Sequence, residues 1–250
     1  MMPLQEEMEK EGNWLFRYRG TLPLIILFVG FVLYIQSQTN PLTNNSYYKF
    51  YYEYFCLAVS MFGLAIRVYT VGYTPANTSG RNKENQLADS LNTAGIYSLV
   101  RHPLYLGNFF MWLGPALLTE NLWFVVAFTF LYCLYYERIM LAEERFLRCK
   151  FGDGYTAWAE RVPAIIPSLN FDTFKKPALP FSWKKVFRQE KNGLFATFLI
   201  FAVFNVSGEL INGERGFNSG LIILSVLAAV FYIITKYLKK YTRILHEDGR

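Results

Sequence analysis

GIYSLVRHPLYLGNF, residues Gly95 to Phe109, sets Arg101, His102 and two tyrosines, Tyr97 and Tyr105, directly against an apolar run. About one membrane hairpin later come Glu143-Glu144, and then FGDGYTAWAERVPAIIP, Phe151 to Pro167. An unpaired polar or charged group beside a membrane span is costly enough to need a role. The pattern therefore points to a helical membrane protein with a polar site at a membrane surface.

The rest of the chain agrees. Of 250 residues 53% are hydrophobic and 18% aromatic, gathered into blocks rather than spread as in an ordinary soluble domain. The blocks are Leu22 to Gln36, Tyr51 to Tyr73, Leu104 to Leu118, Leu122 to Met140, Gly193 to Val206 and Gly220 to Tyr237. The expected fold is all-α: a polytopic membrane protein of about six transmembrane helices with cytoplasmic amphipathic helices. The shortest blocks reach only ~22 Å at ~1.5 Å per residue, against a hydrocarbon core of ~30 Å, so they must borrow flanking residues. Gly114-Pro115 interrupts Leu104 to Leu118. With Leu122 to Met140 this block can form a kinked, shallow or fully spanning hairpin around Thr119-Glu120-Asn121.

Charge gives an orientation. Of the 25 Lys and Arg residues, all but Lys49 and Arg215 fall on one side of this arrangement. By the positive-inside rule that side is cytoplasmic, which places both termini, Thr74 to Pro103 and Ile139 to Asn192 there. The net charge of +6 reads as topology and attraction to anionic headgroups rather than nucleic-acid binding. The acidic start Glu6, Glu7, Glu9 and the lack of a small-residue cleavage site favour a retained anchor over a cleaved signal peptide.

Cys56, Cys133 and Cys149 are widely spaced and odd in number, which suits structural thiols rather than disulfides or zinc. With His102 and His246 the only histidines, no metal site is expected. Thr74 to Thr93 is a polar loop able to act as a lid, and Phe171 to Lys191 mixes aromatic and basic residues suited to the headgroup region. In the amphipathic stretch Ile139 to Lys150, Glu143 and Glu144 point about 100° apart, so that one can face the protein while the other faces water or Arg148.

Together these elements resemble the isoprenylcysteine carboxyl methyltransferase and phospholipid methyltransferase superfamily. The resemblance rests on Gly95-Ile96-Tyr97, Arg101-His102-Pro103-x-Tyr105-x-Gly107, Glu143-Glu144, Phe151-Gly152-x-x-Tyr155 and the Val162-Pro163 to Ile166-Pro167 ending. It spans about Thr93 to Ser168, with Trp158 where members often carry Tyr. It implies an S-adenosylmethionine-dependent membrane methyltransferase whose acceptor is a lipid or lipid-linked molecule entering from the bilayer. It also implies that Tyr97, His102, Pro103, Tyr105, Gly107, Glu143 and Glu144 hold the cofactor. Arg101 and Glu144 are then the catalytic candidates, and Arg67, Arg81 and Lys83 the candidates for binding an anionic headgroup.

The chemistry suits that cofactor, which offers an amine, hydroxyls, an adenine face and a sulfonium to carboxylate, aromatic and glycine partners. Taken singly, each residue has a plainer reading. His102 can cap a helix starting at Pro103, Arg101 can snorkel, the glutamates can form a solvated face, and the tyrosines can belong to an interfacial belt. Three units follow: residues 1–92, N-terminal spans and loop; 93–168, the core with the cofactor site; and 169–250, an interfacial segment and two C-terminal spans. Substrate choice is expected to reside in Thr74 to Asn92 and beyond Ser168. The rival readings are a membrane reductase of the sterol reductase type, using a nicotinamide dinucleotide, and a non-catalytic lipid-binding scaffold. Neither the acceptor nor which glutamate faces the cofactor follows from the sequence.

Overall fold

The computed structural model describes residues 3–38, 46–78, 86–213 and 216–250. Its described residues form helices and connecting segments without strands. The helices are α1 (Leu4–Tyr18), α2 (Leu22–Gln38), α3 (Ser46–Tyr73), α4 (Pro103–Leu118), α5 (Leu122–Phe151), α6 (Asp153–Ala159), α7 (Trp183–Asn212) and α8 (Ser219–Tyr241). Arg81 and Lys83 lie outside the described residues.

Four of these helices, α3, α5, α7 and α8, are long and apolar enough to cross a membrane. A fifth crossing arises if α1 and α2, bent by 68° at their junction, count as one broken span. The expected six spans are not reached, and length is the reason. Helix α4 has 16 residues, or ~24 Å, and carries Pro115 inside it. Exposed Leu24, Phe28, Phe130, Leu134, Leu227 and Ile234 present the apolar surface that lipid would cover.

Local sequence explains where the helices begin and end. Pro103 occupies the first turn of α4, where its missing N–H costs nothing. The α4–α5 turn is Thr119-Glu120-Asn121, and the Asn121 side chain accepts from Phe124 N at 3.0 Å to cap α5. Gly152, at φ +53°, ends α5 and starts α6 in a conformation that favours glycine. Helix α7 starts ten residues before its apolar block, because Ser182 caps it by accepting from Lys185 N at 3.1 Å. The stretch expected to lie in the headgroup region is thus partly helix. Lys185 itself is buried and donates to Thr74 O, Thr74 Oγ1 and Pro75 O at 2.6–2.9 Å.

Two packed clusters carry the core. One joins α1, α4 and α5 through Phe16, Phe128, Tyr132, Tyr136 and Ile139. The other joins α2, α3, α7 and α8 through Tyr34, Cys56, Phe201, Phe204 and Leu221. Helices α3 and α4 approach through small residues, with Gly63 against Gly107 O and Ser60 Oγ donating to Met111 O at 3.0 Å. Of the cysteines, Cys56 is buried, while Cys133 and Cys149 are exposed on α5.

Candidate functional site

The segment before α4 is held by the segment after α6. Arg101 N donates to Pro163 O at 2.9 Å, His102 N to Ala164 O at 3.1 Å, and Ser168 N to Leu99 O at 2.9 Å. Trp158 Nε1 donates to Tyr97 O at 3.1 Å. The Val162–Pro167 stretch therefore acts as a backbone splint that fixes Arg101 and His102 at the mouth of α4.

From there His102 turns back toward α5. It stands at the cap position of α4 but makes no side-chain cap bond. Instead its ring lies between the two glutamates: Nε2 is 2.9 Å from Glu144 Oε1, and Nδ1 is 3.7 Å from Glu143 Oε2. Tyr105 stacks on it with centroids 5.6 Å apart and donates its hydroxyl to Glu143 Oε2 at 2.8 Å. Arg101 Nε lies 3.3 Å from Glu144 Oε1 without hydrogen-bond alignment. Both glutamates thus face the protein, which corrects the expectation that only one does. A side chain lying over the helix reaches two neighbours 100° apart.

A cavity of about 290 Å³ opens beside this cluster. Tyr97, Arg101, His102, Pro103, Tyr105 and Glu143 line it. Glu144 stands behind His102 rather than in the wall, so it acts on the cavity through the imidazole. Gly107 is also outside the wall. A Cβ there would lie 2.8 Å from Gly63 O, so its close approach is to α3 and not to a ligand. Arg67 lines the cavity, but its guanidinium is committed: Nε and Nη2 donate to Glu190 at 2.8 and 2.7 Å, and Nη1 to Asn108 Oδ1 at 2.7 Å.

Several lining residues were not anticipated. Phe16 and Arg19 come from the end of α1, Gln189 from α7, and residues 86–92 of the expected lid close another side, with Gln86 Nε2 reaching Asn13 Oδ1 at 3.0 Å. The Gly12, Phe16 spacing on α1 was the available signal. Burial, and then the charge of Glu143, raises the Tyr97 hydroxyl above its ordinary range. Burial and Glu144 do the same to Tyr155. Both phenols are therefore proton donors at neutral pH. The Tyr155 hydroxyl and Arg101 Nε are buried beside Glu144, neither in an aligned hydrogen bond.

Comparison with known proteins now bears on this geometry. Residues 55–154, from α3 to the start of α6, match the phospholipid methyltransferase family. The matched region resembles the isoprenylcysteine carboxyl methyltransferase and phospholipid methyltransferase superfamily. The chain is 38% identical over 90 residues to a protein-S-isoprenylcysteine O-methyltransferase of Schizosaccharomyces pombe, covering 36% of each chain. It is 35% identical over 116 residues to the cobalt-zinc-cadmium resistance protein CzcN of Cupriavidus metallidurans, covering 46% of this chain and 50% of that one. A third relative is methanethiol S-methyltransferase 2 of Bradyrhizobium diazoefficiens, 37% identical over 81 residues, 32% of this chain and 30% of that one. The chain thus spans half or less of the length of these three relatives. No solved structure matches.

Proposed function

We propose that this chain is an S-adenosylmethionine-dependent methyltransferase that modifies a lipid or lipid-linked acceptor at the cytoplasmic membrane face. The observation that carries this reading is the convergence of Glu143, Tyr105, His102, Tyr97 and Arg101 on one polar cavity inside the family-matched region. Its volume, about 290 Å³, sits at the lower end of small-molecule pockets.

The residues fit the cofactor. Glu143 accepts hydrogen bonds from an amine or hydroxyls, and the aromatic faces of Tyr97, Tyr105 and Trp158 suit an adenine ring or a cation. When bound, the cofactor supplies an electrophilic methyl group on a sulfonium. The protein's part is to position the acceptor, exclude water and balance charge. Arg101 orients an ionised carboxylate or phosphate acceptor, which needs no base. For an amine acceptor Glu143 is the proton acceptor in the wall. Glu144 holds the imidazole of His102 in place, and Arg67, tied to Glu190, shapes the floor rather than reaching for a headgroup.

A lipid acceptor is favoured by an apolar groove of about 470 Å³ lined by Ile26, Trp112, Leu131 and Tyr135, which shares Tyr136 with the polar cavity. A tail in the groove would bring its headgroup to the cavity. The relatives' names point to a prenylated cysteine and to methanethiol as acceptors, so the acceptor here is assigned only as a class. The concentration of Lys and Arg on the cavity side supports its cytoplasmic placement.

The test is binding of S-adenosylmethionine and its demethylated product to the full chain in detergent, with a reduced nicotinamide dinucleotide as competitor. Both should bind saturably. Glu143→Ala should weaken binding by about 10–100-fold, the loss of one charge-assisted hydrogen bond of about 1.5–3 kcal/mol. Glu144→Ala, acting through His102, should cost less. Folded protein that binds neither, or binds the dinucleotide instead, would sink the proposal.

A further inference from the structure

At the opposite end of the bundle the chain buries a second pair of carboxylates, Glu53 just before the family match and Glu209 after it. Glu53 on α3 is 5% exposed and fully served: Asn205 Nδ2 donates to one oxygen at 2.8 Å and Asn218 Nδ2 to the other at 3.0 Å. Asn218 N in turn donates to Asn205 Oδ1 at 3.0 Å.

Glu209 on α7 is 4% exposed and only half served. Its Oε1 takes Lys49 Nζ at 2.6 Å, while Oε2 is buried with no partner. A cavity of about 510 Å³ opens beside it, with Phe50, Tyr54 and Phe217 in its wall.

An unpaired carboxylate oxygen that is buried costs the desolvation of a charged acceptor, and such groups are rare without a function. Among the described residues the wall carries Glu53, Glu209 and Lys49. The open oxygen calls for a hydrogen-bond donor, and a cationic donor makes the stronger, charge-assisted bond to a carboxylate. The space is far larger than a bare ion needs, and among the described residues no three His, Cys, Asp or Glu side chains group as metal ligands. Aromatic faces around a carboxylate suit an organic cation.

We propose that this cavity binds an ammonium group, from a lipid headgroup or a small free amine, that donates to Glu209 Oε2. Tyr48, Tyr51 and Tyr52 lie one turn or less from Lys49, the aromatic belt expected at a membrane boundary, so a headgroup is within reach. Lys49 then stands beside the headgroup's phosphate.

The experiment is native mass spectrometry of the full chain after equilibration with detergent micelles carrying phosphatidylethanolamine or phosphatidylglycerol, with and without millimolar ethanolamine. The intact protein should retain the amine lipid at least tenfold over the glycerol lipid. Glu209→Gln should abolish that preference while leaving S-adenosylmethionine binding unchanged. Gly216→Ala keeps the charge but sets a Cβ 3.3 Å from Oε2, so it should have the same effect and carries the test if the first variant fails to fold. A lipid preference that ethanolamine does not displace assigns the site to a headgroup. Ethanolamine binding without a lipid preference assigns it to a free amine. Equal retention of both lipids by the unmodified chain and the variants, with no ethanolamine bound, overturns the proposal.

Discussion

The two ends of this bundle bury carboxylates in opposite ways. At the cavity end, Glu143 and Glu144 flank a histidine, and the side chains that meet come from short stretches, residues 97–105, 143–144 and 155–158, around open space. At the far end, Glu53 and Glu209 are met by single residues scattered over the chain, Lys49, Asn205 and Asn218, and most of the polar atoms there satisfy one another. A motif-dense cluster beside a void is built to receive something. The dispersed network closes on itself around Glu53 and holds helices together there, leaving Glu209 Oε2 as its one open valence, beside a cavity of its own. Substitutions at the first end should register in ligand affinity, and those of Glu53 and its two asparagines at the second in stability.

The sharpest way to break that division lies between the ends. Arg67 on α3 pairs with Glu190 on α7 through two hydrogen bonds of 2.7 and 2.8 Å, and both side chains are largely buried. Although Arg67 touches the cavity, its bonds are those of a clamp. Arg67→Ala leaves Glu190 charged and short of its main partner, and should cost about 3–5 kcal/mol in reversible unfolding in detergent. Replacing both partners by apolar residues should recover much of the loss. A cost below about 1 kcal/mol for the single change would show the pair to be solvated and the clamp illusory.

Gly107 offers a finer cut, because the sequence resemblance and the packing assign it different tasks. A glycine that lets a cofactor approach would lose affinity on gaining a methyl group. Here the added Cβ would lie 2.6 Å from Arg67 Cγ and 2.8 Å from Gly63 O, and only the first of these can give way. Gly107→Ala should therefore destabilise the chain by about 1–3 kcal/mol through overpacking, with S-adenosylmethionine affinity in the folded fraction unchanged. A large affinity loss at full stability would return Gly107 to the ligand.

The features legible in advance were those written locally. The turn Thr119-Glu120-Asn121, the helix start at Pro103 and the stop at Gly152 each need only a few adjacent residues, and the apolar blocks all became helix. What stayed hidden needs partners. Helix α1 is too charged to read as a span, and it gains its place only when Phe16 packs against α5 and Arg145 meets Glu9 at 2.7 Å. The Arg67–Glu190 pair joins positions 123 residues apart. The two glutamates appeared to diverge because helical geometry was considered without the imidazole that lies across both. The six apolar blocks give four or five crossings because α2 and α4, at 17 and 16 residues, are too short to cross alone, a shortness the blocks already showed.

The smallest effect should come from the far-end turn, and it checks whether that end is structural even where no charge is buried. Asn121 lies between α4 and α5, and its side chain accepts from Phe124 N at 3.0 Å, taking up one of the unpaired donors of the first turn. Tyr52 OH donates to Leu117 O at 2.7 Å just before the turn, tying it to α3. Asn121→Ala removes the cap but leaves that tie, so the loss should be about 1 kcal/mol, with Asn121→Asp close to neutral because it keeps an acceptor. Unfolding in detergent measures the first quantity and S-adenosylmethionine binding the second, which should not move. If affinity falls with the cap, the α4–α5 hairpin transmits strain from one end of the bundle to the cavity, and the two ends are coupled rather than divided.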